Sequence, residues 1–191
     1  MIARHLDNFI SLLQDKGEIE LYNEAGLQHE LGFYLKSVLN SSCTIQLERN
    51  ISAILGNKKG LHKNEIDIFI KNGDRKIAIE LKMPVNKQIP KRMELTFKDV
   101  RFLEQLKTKG FDECYLLFTS NVKSFWESRR EQKIYAYFND GIIKTLYKED
   151  VPVFLKESKD TLIPITNEYE FTWKDLKKQN NKQWRYFILD V

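Results

Sequence analysis

The chain has 191 residues, 42% of them hydrophobic and 12% aromatic, which is enough to bury one substantial core, and nothing in that length calls for a second domain. Its 31 lysines and arginines against 27 acidic residues leave a formal net charge of +4, an excess that tolerates a polyanionic partner without requiring one. Cys43 and Cys114 lie too far apart for a metal-ligand pair, and neither a run of about 18 apolar residues nor an unbroken apolar stretch near Met1 marks a membrane span or an export signal, so two buried thiols in a cytoplasmic protein with no membrane partner are expected.

From Glu20 to Leu39, the residues Leu27, Leu31, Tyr34, Leu35 and Val38 recur at helical spacing and predict an amphipathic helix packed on a sheet. Cys43 to Ile51 alternates Cys43, Ile45 and Leu47 against Thr44, Gln46 and Glu48, the period of a strand. Leu55 to Asn64, with two glycines and three lysines, reads as a loop. Glu65–Ile70 and Lys76–Met83 are β-rich runs on either side of Asn72-Gly73, a strong hairpin signal. Pro84 and Pro90 then frame a polar stretch, Val85 to Thr96, expected to be a loop or lid. A second helix is expected over Phe97–Lys109, with Val100, Leu103 and Leu106 inward and Gly110 as its stop.

Glu113–Ser120 is apolar almost throughout and suits a central strand covered on both faces. Lys133–Tyr147 reads as a further hairpin about Asn139-Asp140-Gly141. Tyr169–Val191 reads either as a strand pair around a polar turn or as a strand after a short helix. The expectation is one α/β domain over residues 1–191, with a core of about residues 20–120 ordered helix, three strands, helix, strand around a mixed central sheet, and a β-rich extension of about residues 130–191.

With Asn72-Gly73 at the centre of the turn, Asp67 faces Ala78 and Glu65 faces Glu80. Glu65, Asp67, Glu80 and Lys82 then share one face, and Ile66, Ile68, Ile70, Ile77, Ile79 and Leu81 share the other. Crowded carboxylates repel each other unless a proton or a cation lies between them. A hard divalent cation such as Mg²⁺, which takes oxygen ligands and commonly joins one or two carboxylates to phosphate oxygens, meets that need. Lys82 is placed to hold an attacking water and to offset charge on a phosphorane-like transition state. An exposed strand face could carry the same residues, but these runs are too apolar for a solvated face, and Asp is depleted in strand interiors. The set is therefore expected to hydrolyse phosphodiesters.

Asp67, followed at thirteen positions by Glu80-Leu81-Lys82, resembles the motif of the PD-(D/E)XK nuclease superfamily, and the expected order of core elements resembles its restriction-endonuclease-like fold. The resemblance covers roughly residues 20–120, with Ile66 in place of the proline of the motif's name. It implies a Mg²⁺-dependent nuclease acting on DNA, with Mn²⁺ as a substitute and a restriction or other defence role. The metal ligands it implies are Asp67, Glu80 and the backbone carbonyl of Leu81, joined by a glutamate of the first core helix. Glu30 is the choice for that glutamate, and Glu24 its rival. Cutting both strands would call for a homodimer. The rival functions are a non-catalytic nucleic-acid-binding or assembly module and a nuclease for RNA or structured junctions.

His5, His29 and His62 share no metal spacing. Lys58, Lys59 and Lys63 before the hairpin, and Lys87, Lys91 and Arg92 after it, are candidates for phosphate contacts. Asp99 and Arg101 lie on the second helix, where a surface pair is favoured over a role near the site. Trp173, Trp184 and Tyr186 are expected to pack into the core rather than stack on bases.

Overall fold

The computed structural model describes residues 2–15, 19–56, 60–85, 88–128, 134–140, 145–146, 150–152 and 162–191. Helix α1 (Ile2–Asp15) is an addition to the expected elements, and it buries Ile2, Leu6, Phe9, Ile10 and Leu13 along one helical face. Helix α2 (Glu24–Val38) is capped by Asn23, whose Oδ1 accepts from the Gly26 N–H at 2.7 Å, and it turns Leu27, Leu31 and Leu35 inward. Strand β1 (Thr44–Asn50) and a single turn, α3 (Ser52–Leu55), lead to the hairpin of β2 (Glu65–Asn72) and β3 (Arg75–Lys82). Helix α4 (Ile89–Thr108) then returns the chain to β4 (Glu113–Ser120).

After a 3-10 turn at Lys123–Phe125 come α5 (Ile134–Phe138), β5 (Thr145–Leu146), β6 (Asp150–Pro152), β7 (Leu162–Pro164), β8 (Tyr169–Glu170), β9 (Lys174–Gln179) and β10 (Lys182–Asp190). Six strands form one sheet in the order β1-β2-β3-β4-β10-β9. Only the β3–β4 pairing within it is parallel, so the sheet is mixed and the expected sequence of helix, three strands, helix, strand is present. Helices α1 and α2 cover one face, over Ile68, Ile70, Ile77, Ile79 and Leu117. On the opposite face Phe69, Ala78, Leu116, Phe118 and Phe187 pack with apolar residues of α4 and α5. All eight residues of β4 are buried between these layers.

The hairpin register differs from the expected one by two residues. Asn72 pairs with Arg75 and Ile70 with Ile77, so Gly73-Asp74 forms the turn, and Gly73 takes the positive φ of +61° that the reversal needs. A slip of two preserves strand parity, so Glu80 and Lys82 keep their common face, and the ladder ends at Ile68↔Ile79, one position before Asp67 and Glu80. Ile66 departs from its expected face, because the β1–β2 ladder runs from Leu47↔Ile68 to Arg49↔Ile66 without pairing Glu48 and Asp67. Glu48 has a φ of +48° at this break, and Ile66 enters the core on the α4 side. Gln28 of α2 fills the gap, donating from Nε2 to the Asp67 carbonyl at 2.6 Å and to Glu48 Oε1 at 2.7 Å.

Two further expectations are corrected. The stretch read as a lid is helical from Ile89, because Pro90 falls in the first turn of α4, where its missing N–H costs no hydrogen bond. The hairpin expected over Lys133–Tyr147 does not form, since Ile134–Phe138 is helical, while Gly141 lies outside the described residues. Phe138 sits with its ring centroid 5.8 Å from that of Phe97 and 5.6 Å from that of Phe118, and this packing overrides the local β preference. The strand pair at the C-terminal end does form, as β9 and β10, about Asn180 and Asn181 at φ 51° and 59°. Trp173, Trp184 and Tyr186 are buried in the core, as expected. Among the described residues no helix is long and apolar enough to cross a membrane.

Candidate active site

Asp67 and Glu80 stand on neighbouring strands, and each uses the other's backbone or that of its flanking residue. Asp67 Oδ2 accepts from the Leu81 N–H at 2.8 Å, while the Asp67 N–H points to Glu80 Oε1 at 3.4 Å. Lys82, two residues on, lies under α4, where its ammonium meets Asp99 Oδ2 at 2.8 Å and donates to the Leu81 carbonyl at 3.0 Å. Glu24, at the start of α2, closes the other side: its Oε1 is 3.9 Å from Lys82 Nζ and its Oε2 accepts from the Met83 N–H at 2.8 Å. The structure thus brings together Asp67, Glu80, Lys82 and the Leu81 carbonyl.

The cation between the carboxylates is Lys63. Its Nζ is 3.2 Å from Asp99 Oδ1 and 3.5 Å from Asp67 Oδ1, and it donates to Glu80 Oε2. Lys63 was expected to be one of the flanking loop lysines, so this is a correction: it turns inward, because three carboxylates would otherwise be buried with too little positive charge. Lys91 is exposed and Arg92 half-buried in the first turns of α4, and Lys58, Lys59 and Lys87 lie outside the described residues.

Glu80 is 0% exposed, Asp99 3% and Lys82 8%. Burial pushes the Glu80 carboxyl well above the usual carboxylate range, and Asp67 and Asp99 add to the rise while Lys63 opposes it. For Lys63, burial works against the charge, but Glu80, Asp99 and Asp67 together hold the ammonium above its ordinary value. Lys82 follows the same pattern, with burial opposed by Asp99 and Glu24. Both lysines are therefore cations at neutral pH. Four carboxylates (Glu24, Asp67, Glu80 and Asp99) surround these two ammonium groups, an acidic surplus when all are ionised.

Glu30 is not brought to this cluster. It is exposed on α2, whereas Glu24 and Gln28, one helical turn apart, face the site, and two further residues of helix carry Glu30 around to another side. Glu65 is likewise exposed at the start of β2. Asp99, expected on the surface with Arg101, is instead buried at the centre of the cluster, while Arg101 pairs with Glu104 at 3.2 Å. A signal for Asp99 was present: it stands between Thr96 and Leu103 at helical spacing, a charge within the inward stripe of α4. Nothing comparable marked Lys63.

A cleft of about 260 Å³, lined by Glu24, Ala25, Gln28, Glu48, Asp67 and Leu81, opens the cluster to solvent on the α2 side. Among the described residues no three Asp, Glu, His or Cys side chains are spaced to hold a metal ion as they stand. The donor types nevertheless fit a hard divalent cation, since carboxylates from β2, β3 and α4 already converge on one positive centre, the Lys63 ammonium. The chain matches no protein-family model, and neither a curated protein nor a solved structure gives a significant match.

Proposed function

We propose that the protein is a Mg²⁺-dependent nuclease that hydrolyses DNA phosphodiester bonds, accepts Mn²⁺, and carries a PD-(D/E)XK site on a restriction-endonuclease-like core. The observation that carries this reading is the meeting of Asp67, Glu80 and Lys82 from adjacent strands in one partly buried cluster with Asp99 and Glu24. Asp67, Glu80 and the Leu81 carbonyl would hold the metal, with Glu24 in place of Glu30 as the contribution of the first core helix. A bound divalent cation polarises the phosphate and lowers the pKa of water. Lys82, whose ammonium meets Asp99 Oδ2 at 2.8 Å, would serve as a donor that orients the attacking water and stabilises charge on the phosphate oxygens. Asp99 fixes the Lys82 ammonium in place. A restriction or defence role suits such an activity, and a homodimer would let two sites cut two strands.

The test is incubation with plasmid, linear and single-stranded DNA and with RNA, in Mg²⁺, Mn²⁺, Ca²⁺ and EDTA. DNA should be cut in Mg²⁺ and Mn²⁺, bound without turnover in Ca²⁺, and left intact in EDTA. Lys82→Met should lower the rate by roughly 10²–10³-fold, the usual cost of removing one charge-stabilising donor. Robust cleavage in EDTA would overturn the mechanism. One observation favours a second reading, a non-catalytic nucleic-acid-binding module: Lys63 already places a cation among the carboxylates. That reading requires binding without cleavage in every metal.

A further inference from the structure

We propose that Lys63 and the divalent cation compete for a single position, so that metal binding expels the Lys63 side chain and frees its ammonium for the phosphate of the substrate. The proposal rests on the metal-dependent reading above. Its basis is where the carboxylates point. Asp67 comes from β2, Glu80 from β3 and Asp99 from α4, yet one Nζ lies within 3.5 Å of Asp67 Oδ1, 3.2 Å of Asp99 Oδ1 and in contact with Glu80 Oε2. Three carboxyl groups from three elements thus define one cation position, and the occupant is an ammonium.

Two cations cannot share that position, because like charges a few ångström apart in a partly buried site repel strongly. Nor can a metal reach the fully buried Glu80 Oε2 and leave Lys63 where it is. The route out is open. Lys63 belongs to the stretch between α3 and β2, outside any helix or strand, and its side chain is 29% exposed. Its backbone neighbours are anchored separately, His62 N–H to Gln105 Oε1 and Asn64 C=O to Ile51 N–H, so the flexible side chain can swing without breaking a ladder. Lys82 differs in this respect. It is held by Asp99 Oδ2 at 2.8 Å, and departure of Lys63 from Asp99 Oδ1 leaves that contact in place. One lysine is fixed and the other exchangeable.

The experiment measures Mn²⁺ binding by calorimetry, without nucleic acid, to the wild type, Lys63→Met and Lys63→Arg. Lys63→Met should bind Mn²⁺ more tightly by roughly tenfold or more, as expected when the charge that competes for the position is removed. Lys63→Arg should stay near the wild type. In parallel, lysine acetylation of the wild type, read by mass spectrometry, should be slow at Lys63 in EDTA and several-fold faster in saturating Mn²⁺, with Lys82 unchanged. The labelling needs no variant, so it decides the matter even if Lys63→Met fails to fold. Equal or weaker Mn²⁺ binding by a folded Lys63→Met, or Lys63 labelling indifferent to bound Mn²⁺, overturns the exchange while leaving the metal site standing. If neither the wild type nor Lys63→Met binds Mn²⁺, the metal-dependent reading falls and the exchange falls with it.

Discussion

At the start of β4, Glu113 collects donors from three directions: the Ile2 N–H at 3.1 Å, the Tyr115 hydroxyl at 2.9 Å and the Arg75 guanidinium at 2.5 Å. Burial opposes its charge, but the hydrogen bonds from Ile2 and Tyr115 prevail and hold the carboxyl below its ordinary range. A carboxylate with a depressed folded-state pKa adds stability above the unfolded value, and that stability is lost as the pH falls through the folded one. Glu113→Gln should therefore cost about 1–3 kcal/mol at neutral pH. The gap should close below about pH 4, where an unfolded glutamate is already protonated. Urea melts of both proteins between pH 7 and pH 3 measure this, and a pH-independent gap would assign the loss to packing instead. Cys114, in the next position, has its thiol pushed up to about 12 by burial, whereas Cys43 is only half-buried, so one of the two thiols expected in the interior is in fact accessible. At this scale, Asp67, Glu80 and Lys82 were legible because strand parity survives a slip of two residues. Lys63 was not, because its partners come from three separate elements and no local pattern encodes them.

Helix α2 illustrates what periodicity fixes and what it leaves free. The stripe Leu27, Leu31, Leu35 gave the buried face, but which polar residue overhangs the sheet depends on where the helix crosses the strands, and that is decided by packing against α1 and β1. Glu24 holds that place and Glu30 does not. Glu24→Ala should therefore lower cleavage by roughly 10–100-fold, the range for residues that support a metal site, whereas Glu30→Ala should leave it unchanged. Kinetics on both variants at saturating Mg²⁺ test this, and the reverse pattern would return Glu30 to the site. The extent of α4 was misjudged for a related reason. Pro90 breaks a helix in its interior but suits its first turn, and only the burial of Met93 and Thr96 shows which case applies. Helix α5 is a short aromatic segment whose neighbours Phe97, Phe118 and Phe171 select its form.

Across the whole molecule, the C-terminal strand pair completes the sheet. β10 lies against β4 and, by the alternation of a strand, supplies Trp184 and Tyr186 to the layer under α1 and α2, and Phe187 and Leu189 to the layer under α4. Four large side chains at about 1.5–3 kcal/mol each approach the entire stability of an ordinary domain. A chain truncated after Trp173 should therefore lose its cooperative thermal transition, whereas a separable extension would leave a folded core that still melts sharply. The parts farthest apart in sequence are also bonded to each other: Gln14 donates to the Asp175 carbonyl at 3.0 Å, and Leu21 and Gln179 exchange two hydrogen bonds of 2.9 Å each. During synthesis, α1, α2 and the β2–β3 hairpin leave the ribosome well before β9 and β10 exist. Closing contacts over such separations is slow, because the loop entropy is lost before the contacts repay it. The nascent chain consequently carries two half-covered apolar layers until its last strands arrive, and in that interval the β3 and β4 surfaces are most open to wrong partners.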